Sequence, residues 1–236
     1  MLVIVANRYD TAAQALARRW SAHDAHLLSC EDLSVVGWYH CLTNPSVSTA
    51  VISGRVIGIE SITGVLTLLP WVTADQLAHI VSEDRAYVAA EMMAFLVSWL
   101  SELNCNVLNH PTPACLMGPA WRPEQWVHAA AGIGIPVRAI GRRVTLTAEP
   151  PPENEFAKLP SATVSVVGNS CIGETHGALT LHARRLADAT GVDMLAVHFD
   201  SPEADARLLG ASLRPDIFSP QIADAILETL GRSYGC

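Results

Sequence analysis

Lysine is almost absent from this chain. A single lysine, Lys158, stands beside fourteen arginines. Any mechanism that needs two lysines is therefore excluded, whereas phosphate contacts through arginine remain open. Charge is scarce as well, because only 16% of the residues are charged, and the formal net charge is −8. An acidic chain of this kind is a poor match for a phosphate backbone, so no nucleic-acid partner is expected.

Long apolar runs and paired cysteines are also missing. No stretch approaches the ~20 apolar residues of a membrane span, and the N-terminus has no basic segment before its short apolar run. None of the six cysteines forms a Cys-x-x-Cys pair, and no larger group of Cys and His has zinc-ligand spacing. These absences predict a cytoplasmic protein with reduced thiols, no membrane partner and no bound metal.

Strand and helix signals alternate at the N-terminus. Residues 2–6 are a short apolar run that predicts a buried strand, and Thr11 is the expected cap of a helix over residues 11–20. Residues 25–30 predict a second strand. A strand, a helix and a strand at this spacing predict a βαβ unit within a parallel sheet.

A hairpin and a long helix come next. Ser53-Gly54 predicts a turn between two strands rich in Val, Ile and Thr. Residues 84–103 repeat apolar side chains at a helical period and are the strongest helix signal in the chain. Shorter elements are predicted as a strand at 106–108, a helix with Pro123 in its first turn, and a strand at 135–140.

A proline-rich segment at 148–160 predicts a linker, because its prolines prevent regular structure. The expected fold class is α/β, with an N-terminal domain at 1–147 built on a parallel sheet with helices. A smaller α+β part at 161–236 is expected after the linker. Within it we predict a strand at 161–168, a loop at 169–177, a helix at 178–190, a strand at 193–199 and a final helix at 221–231.

One motif imitates a phosphate-binding loop. Gly168, Gly173 and Thr175 fit the glycine and threonine positions of that loop, and Asp200 ends a later strand as a magnesium-binding acid would. The lysine position, however, holds Glu174, which repels phosphate by about 1–4 kcal/mol at effective dielectric values of 80 to 20. A polar turn between strand and helix is therefore the preferred interpretation.

Two cysteines lie near histidines in the sequence. Cys171 is close to His176 and His182, and Cys115 follows His110. A catalytic cysteine needs a base within hydrogen-bond reach and a site for an oxyanion, and nearness in sequence establishes neither. No catalytic residue is predicted.

The segment from 84 to 137 resembles the pre-ATP-grasp region of the ATP-grasp ligases, most closely the microviridin-type peptide ligases and their relatives. In that family a long helix leads to a strand ending in Val-x-Asn-x-Pro, and a later helix leads to Gly-[IL]-x-[IV]-Pro. Residues 160–230 resemble the end of the same fold more loosely. The matching residues are Val107, Asn109 and Pro111, then Gly134, Ile135 and Pro136.

The departures from that family bear on activity. The resemblance implies a glycine-rich lid and two lysine-bearing strands, and only the linker with Lys158 stands in their place. The family's metal-binding carboxylates fall on His198, Gly210 and Ser212. Magnesium prefers carboxylate oxygens, and phosphoryl transfer depends on positioning and charge neutralisation. The resemblance therefore implies the fold without the ligase chemistry.

Three hypotheses remain open. The first is a non-catalytic ATP-grasp-like protein without a cofactor, which binds a peptide or small molecule, partners a biosynthetic enzyme or forms a homo-oligomer. The second is a compact ATP-dependent carboxylate–amine ligase that uses ATP and Mg²⁺. The third is an unrelated α/β enzyme with a pocket at Asn109, His110 and Trp121. The arginines available to the second are Arg142, Arg143, Arg184, Arg185 and Arg214.

A cleft between the two parts is the expected ligand site. One wall is predicted from the loop after the strand at 106–108 and the other from the segment 168–176. The predicted ligand-binding residues are Asn109, His110 and Pro111 on the first wall, and Gly168, Asn169, Cys171 and His176 on the second, with Arg184 and Arg214 nearby.

Overall fold

The computed structural model describes residues 1–140, 160–173 and 175–231. The chain divides into two units, of which the first comprises Met1–Ala120 and the segment from Asp216 onward, and the second comprises Trp121–Pro215. Arg142, Arg143, Lys158, Glu174 and nearly all of the predicted linker at 148–160 lie outside the described residues.

Ten strands and five α-helices are found in the part of the chain that the structure describes. In chain order they are β1 (Leu2–Val5), α1 (Thr11–Arg19), β2 (Ala25–Leu28), β3 (Thr49–Ile52), β4 (Arg55–Gly58), β5 (Gly64–Thr67), α2 (Arg85–Glu102), β6 (Asn106–Leu108), α3 (Pro123–Gly132), β7 (Ala162–Val167), β8 (Ser170–Ile172), α4 (Gly177–Thr190), β9 (Met194–Phe199), β10 (Leu208–Ser212) and α5 (Pro220–Gly231). None of the described helices combines the length and apolar character that crossing a bilayer requires.

The first unit is built on a four-stranded parallel sheet in the order β2-β1-β5-β6. The βαβ unit predicted at the N-terminus is confirmed, because α1 connects β1 to its parallel neighbour β2. The helix cap is corrected, however. The Asp10 carboxylate accepts hydrogen bonds from the N–H groups of Ala12 and Ala13, so Asp10 is the N-cap and Thr11 is already helical.

Helices cover both faces of the parallel sheet. On one face, α2 buries Met92, Leu96 and Trp99 in a cluster that includes the odd-numbered valines of β1, β5 and β6. On the other face, a Cβ at Gly64 would lie 3.0 Å from Leu230 Cβ, so the glycine lets α5 approach β5. Burial on both faces explains why β1, at the centre of the sheet, is a continuous apolar run.

The predicted hairpin is confirmed between β3 and β4. Its two turn residues, Ser53 and Gly54, have φ of 51° and 73°. Positive φ at both central positions is the geometry that a two-residue hairpin requires, and glycine adopts it without strain.

The second unit is an antiparallel sheet in the order β10-β9-β7-β8, with α3 and α4 on one face. Its core joins Val164 and Val166 of β7 and Val197 of β9 to Trp126 of α3 and Leu179 of α4. The mixed α/β class, with a parallel sheet in the N-terminal part and a smaller antiparallel part, is therefore confirmed.

Three elements of the second unit differ from the sequence prediction. The loop predicted at 169–177 contains β8, which pairs back onto β7. The strand predicted at 135–140 is reduced to one bridge, between Val137 and Leu208, and β10 was not predicted. These short elements depend on pairing with residues distant in sequence, and a local pattern carries no signal for such pairing.

Candidate functional site

The loop after β6 is held by its own hydrogen bonds. Asn109 is 2% exposed, and its side-chain amide donates to the carbonyl of Met117 at 3.1 Å. The Thr112 hydroxyl donates to the carbonyl of Gly118 at 3.0 Å. Asn109 therefore shapes the loop, whereas His110 is exposed and Pro111 is half-buried beside it.

Cys115 lies in the same loop but is a poor nucleophile. The thiol is 3% exposed, and burial raises its pKa above the ordinary value. A buried thiol with a raised pKa stays protonated at neutral pH. The Cys115 side chain therefore contributes to packing within the loop.

The segment 168–176 does not form a phosphate-binding loop in the residues described. Gly168 has a φ of 51° and, with Asn169, makes the two-residue turn between β7 and β8. A phosphate-binding loop would lead directly from its strand to its helix, and here β8 intervenes. Asp200, the second part of the motif, accepts a hydrogen bond from the Arg207 N–H at 2.8 Å and closes the β9–β10 connection.

Gly173 marks a close approach of two backbone segments. A Cβ at this position would lie 2.5 Å from the carbonyl oxygen of Thr163. Only glycine fits such a distance without movement of β7. The glycine pattern in this segment therefore has an explanation in packing.

His176 serves as the N-cap of α4. Its Nδ1 accepts a hydrogen bond from the Ala178 N–H at 3.2 Å, and its backbone N–H donates to the carbonyl of Pro202 at 3.0 Å. The Nδ1 lone pair is thus occupied and cannot act as a base toward Cys171, which lies on β8.

Two of the predicted phosphate-binding arginines donate to backbone carbonyls of their own unit. Arg184 donates through Nη1 to the carbonyl of Gly168, and Arg185 donates to the carbonyl of Ile133 at the end of α3. A cation at the last carbonyls of a helix also interacts favourably with the helix dipole. The Arg214 side chain is exposed, and its carbonyl accepts from the Ser212 hydroxyl at 3.4 Å.

A polar row crosses the face of the antiparallel sheet that points away from α3 and α4. Thr163 pairs with His198, and His198 pairs with Gly210. The Thr163 hydroxyl lies 3.1 Å from His198 Nδ1, and burial lowers the pKa of the His198 imidazole. Sequence analysis singled out His198 and Gly210 but missed Thr163, for which the signal was the alternation of Thr163 and Ser165 with valines along β7.

The predicted site residues therefore fall into two groups. Asn109, His110 and Pro111 adjoin one another in the first unit. In the second unit, Arg184 and Gly168 are in direct contact, and His176 caps the helix that carries Arg184. A cleft that joins the two groups stays a prediction.

A parallel α/β unit combined with a four-stranded antiparallel sheet and two helices is the fold of the ATP-grasp ligases. Comparison with solved structures confirms that resemblance over nearly the whole chain. No family model matches the sequence, and no curated protein does.

Three solved structures illustrate the likeness. One is the macrocyclase MdnC from Microcystis aeruginosa MRC, bound with precursor peptide MdnA. It is 12% identical in sequence, the match covers 99% of this chain and 100% of MdnC, and the TM-score is 0.65. A RiPP-associated ATP-grasp ligase from Chryseobacterium gregarium, in complex with ADP and a leader and core peptide, has 12% identity, 97% and 96% coverage and a TM-score of 0.65. The ATP-grasp ligase PsnB, complexed with minimal precursor, Mg and ADP, has 14% identity, 98% coverage of both chains and a TM-score of 0.62. At these identities the likeness establishes the fold alone.

The positions that the resemblance assigns to metal ligands, His198, Gly210 and Ser212, do not fit the Mg²⁺ ion that the fold implies. Gly210 offers no side chain, the Ser212 hydroxyl is bonded to a backbone carbonyl, and His198 is a half-buried imidazole. Mg²⁺ requires hard oxygen ligands in octahedral geometry. Nowhere in the described residues do three or more His, Cys, Asp or Glu side chains group as metal ligands would.

Proposed function

We propose that this chain is a non-catalytic ATP-grasp-like protein that binds a peptide, as an accessory or binding component beside an active enzyme. The observation that carries the proposal is the polar row of Thr163, His198 and Gly210, which has no carboxylate where the fold's metal ligands are expected.

To catalyse phosphoryl transfer, a protein mainly has to position the reactants and place positive charge beside the phosphates. Burial lowers the pKa of His198, so its imidazole is neutral at pH 7 and supplies no such charge. A neutral imidazole, a glycine and a hydroxyl are a poor cradle for a divalent cation. The row therefore favours a protein that has kept the fold without the reaction.

The arginines support the same conclusion. Arg184 and Arg185 use guanidinium N–H groups to hold the carbonyls of Gly168 and Ile133. Both acceptors are at element ends, where unpaired carbonyls need donors. Both arginines therefore have a structural role as hydrogen-bond donors to backbone carbonyls, and their positions in the sequence did not reveal it.

A peptide is the preferred ligand because of what the similar structures contain. MdnC was solved with a precursor peptide, and the Chryseobacterium gregarium ligase with a leader and core peptide. A fold that holds a peptide beside its reaction centre can keep that capacity when the reaction is lost. Binding and chemistry depend on different residues.

One observation favours a second candidate function. Arg184 Nη2 is buried and has no hydrogen-bond partner among the described residues. A guanidinium with a free N–H can hold a phosphate oxygen. A compact ATP-dependent ligase that uses arginine in place of lysine is therefore the alternative.

Titration calorimetry with ATP and Mg²⁺, together with an assay of ADP release, separates the two functions. The proposal expects neither saturable heat nor ADP up to about 1 mM nucleotide, a ceiling that corresponds to about −4 kcal/mol of binding free energy. Micromolar binding that is lost in Arg184→Gln and kept in Arg207→Gln would establish the alternative. Arg207 is a suitable control because it is exposed and lies in the same unit.

A further inference from the structure

Strand β2 forms one edge of the parallel sheet. The carbonyls of Asp24 and Leu28 accept hydrogen bonds from the N–H groups of Leu2 and Ala6, so both carbonyls point toward β1. Backbone groups of successive strand residues point to opposite sides. Those of Ala25 and Leu27 therefore point away from the sheet.

Three of the four outward backbone groups have no partner in the part of the chain that the structure describes. The Leu27 carbonyl accepts a hydrogen bond from the Ser53 hydroxyl at 3.1 Å, which confirms its outward direction. The Ala25 N–H, the Ala25 carbonyl and the Leu27 N–H have no partner among residues 1–140, 160–173 and 175–231. An edge with unpaired groups is a template for another strand.

A groove of about 490 Å³ runs along this edge, between α1 and β2. Ala17 and Arg18 of α1 form one wall, and Ala25 and Leu27 of β2 form the other. The described residues that line the groove include no carboxylate, although the chain has 23 acidic residues. Among these described lining residues, Arg18 carries the one formal charge, and it is exposed.

A second arginine lies at the outer side of the strand. Arg55 Nη2 is 3.0 Å from His26 Nε2, and the nearest acid, Asp24, is 2.8 Å from the same nitrogen. His26 lines the groove, whereas Asp24 and Arg55 do not. The groove therefore presents net positive charge to an incoming chain.

We propose that the edge of β2 binds an extended acidic peptide as a fifth, parallel strand. The proposal rests on the peptide-binding function proposed above and assigns it a place in the first unit. Strand addition draws its affinity from main-chain hydrogen bonds and its selectivity from alternate side chains.

The parallel direction follows from which groups are free. A parallel residue opposite His26 donates to the Ala25 carbonyl and accepts from the Leu27 N–H. The residue two positions earlier accepts from the Ala25 N–H, so all three free groups are used. An antiparallel strand would pair both backbone groups of Leu27 and would have to share the Leu27 carbonyl with the Ser53 hydroxyl. Ser53 thus ends the ladder on that side.

The register also assigns the acidic side chains. Ala25 and Leu27 face α1, because His26 pairs with Val3 on the opposite face of the sheet. Peptide residues beside Ala25 and Leu27 project into the groove toward Arg18. Carboxylates at these alternate positions complement the groove, and lysines there oppose it.

The test uses the full chain, isotope-labelled for NMR, and the peptide acetyl-Thr-Glu-Val-Glu-Val-Glu-Thr-amide. Saturable shifts are expected at the Ala25 and Leu27 amides, with slowed hydrogen exchange at both. The same peptide with lysine for glutamate should bind about fivefold more weakly, as expected for exposed charges. A glutamate peptide whose backbone nitrogens are methylated at alternate residues, on the side that faces β2, should bind about tenfold more weakly or worse. Its methylated nitrogens cannot donate the hydrogen bonds that pair it with β2.

Two variants of α1 supply a matched pair. Ala17→Glu places a carboxylate and extra volume in the groove, whereas Ala15→Glu makes the same change on a residue outside the groove lining. Glutamate is a good helix former, so both variants should fold. Binding of the glutamate peptide should fall at least about fivefold in Ala17→Glu and stay unchanged in Ala15→Glu.

The outcomes separate this site from the proposed function. Peptide binding that leaves the Ala25 and Leu27 amides unchanged overturns the β2 assignment and leaves the peptide-binding function standing. Absence of any shift with up to about 2 mM peptide overturns the assignment as well. Amide shifts that depend on protein concentration without peptide would overturn it too, and would assign the edge to a second copy of the chain. Nucleotide turnover, measured separately, would overturn only the non-catalytic function.

Discussion

The two sheets of this protein differ in the polar side chains that they carry. In the parallel sheet, β1 and β5 are buried at every residue, and Thr67 is their one polar side chain. In the antiparallel sheet, one face packs on α3 and α4, and the other carries Thr163, Ser165 and His198. The first sheet is covered by helices on both faces. The second has one apolar face, and on its other face the polar side chains stand beside buried Val167, Met194 and Ala196.

This difference bears on what holds the antiparallel sheet together. The stability of the antiparallel sheet depends on the apolar face, where Val164, Val197 and Trp126 meet. Gly210 and Ser212 of β10 lie on the opposite face and do not belong to that cluster.

The largest expected effects come from removing one core tryptophan from each unit. Trp99 is 1% exposed in the α2 cluster, and Trp126 is 2% exposed in the core of the second unit. Each change to alanine should cost about 3–5 kcal/mol of unfolding free energy, measured by urea unfolding. Hydrogen exchange should then accelerate in β1 and β5 for Trp99→Ala, and in β7 and β9 for Trp126→Ala.

The two tryptophan variants also test whether the two sheets unfold independently. If either variant loses protection equally in both sheets, the units unfold as one cooperative body. The contrast between the two sheets would then have no energetic counterpart. Trp99→Phe and Trp126→Phe keep most of the buried ring and serve as controls, with smaller losses expected.

A smaller loss is expected when Gly173 is changed to alanine. The new Cβ would lie 2.5 Å from the carbonyl oxygen of Thr163, and this backbone atom moves only if β7 moves. Strain of this kind costs roughly 1–3 kcal/mol. Urea unfolding should show it, and the Thr163 and His198 resonances should shift.

The matched control for Gly173 is Gly177→Ala. Gly177 begins α4 in the same unit, and a methyl group at this position would meet no described atom outside its own helix within 4 Å. Alanine favours helix by about 1 kcal/mol over glycine in a helix interior, so no loss is expected. Equal stability of both variants would contradict the close approach of the 173 backbone to β7.

Much of the parallel unit could be predicted because its signals are local. Apolar runs marked β1 and β2, the Ser53-Gly54 turn marked the hairpin, and a helical period marked α2. The cap was misplaced by one residue because Asp10 and Thr11 are both good capping residues. Only the positions of the N–H groups decide between them.

The antiparallel unit was harder to predict because its decisive contacts are distant in sequence. Strand β8 has three residues and exists through pairing with β7, and Thr163 meets His198 across 35 positions. Arg185 finds its carbonyl acceptor 52 positions away. A site built from such contacts becomes visible only when the sheet register is known.

The smallest expected effect is a pH dependence of stability caused by His198 of the polar row. Burial lowers the pKa of His198 from its ordinary value of 6.5, so the unfolded chain binds a proton more readily than the folded chain. The stabilisation is fully present above pH 6.5 and is lost as the pH falls below it toward the folded pKa. The urea concentration at which half of the second unit is unfolded should therefore fall less steeply with decreasing pH in His198→Asn than in the wild type.

The control is His128→Asn, which changes an exposed histidine of α3 in the same unit and should leave the wild-type profile intact. Burial and then the charge of Arg185 lower the pKa of His182, so part of the acid-side loss should survive in His198→Asn. A profile that His198→Asn leaves as steep as that of the wild type would mean that the imidazole is solvated in the folded protein. The polar face of the antiparallel sheet would then bear no buried titrating group among the described residues, and the contrast with the parallel sheet would rest on Thr163 and Ser165 alone.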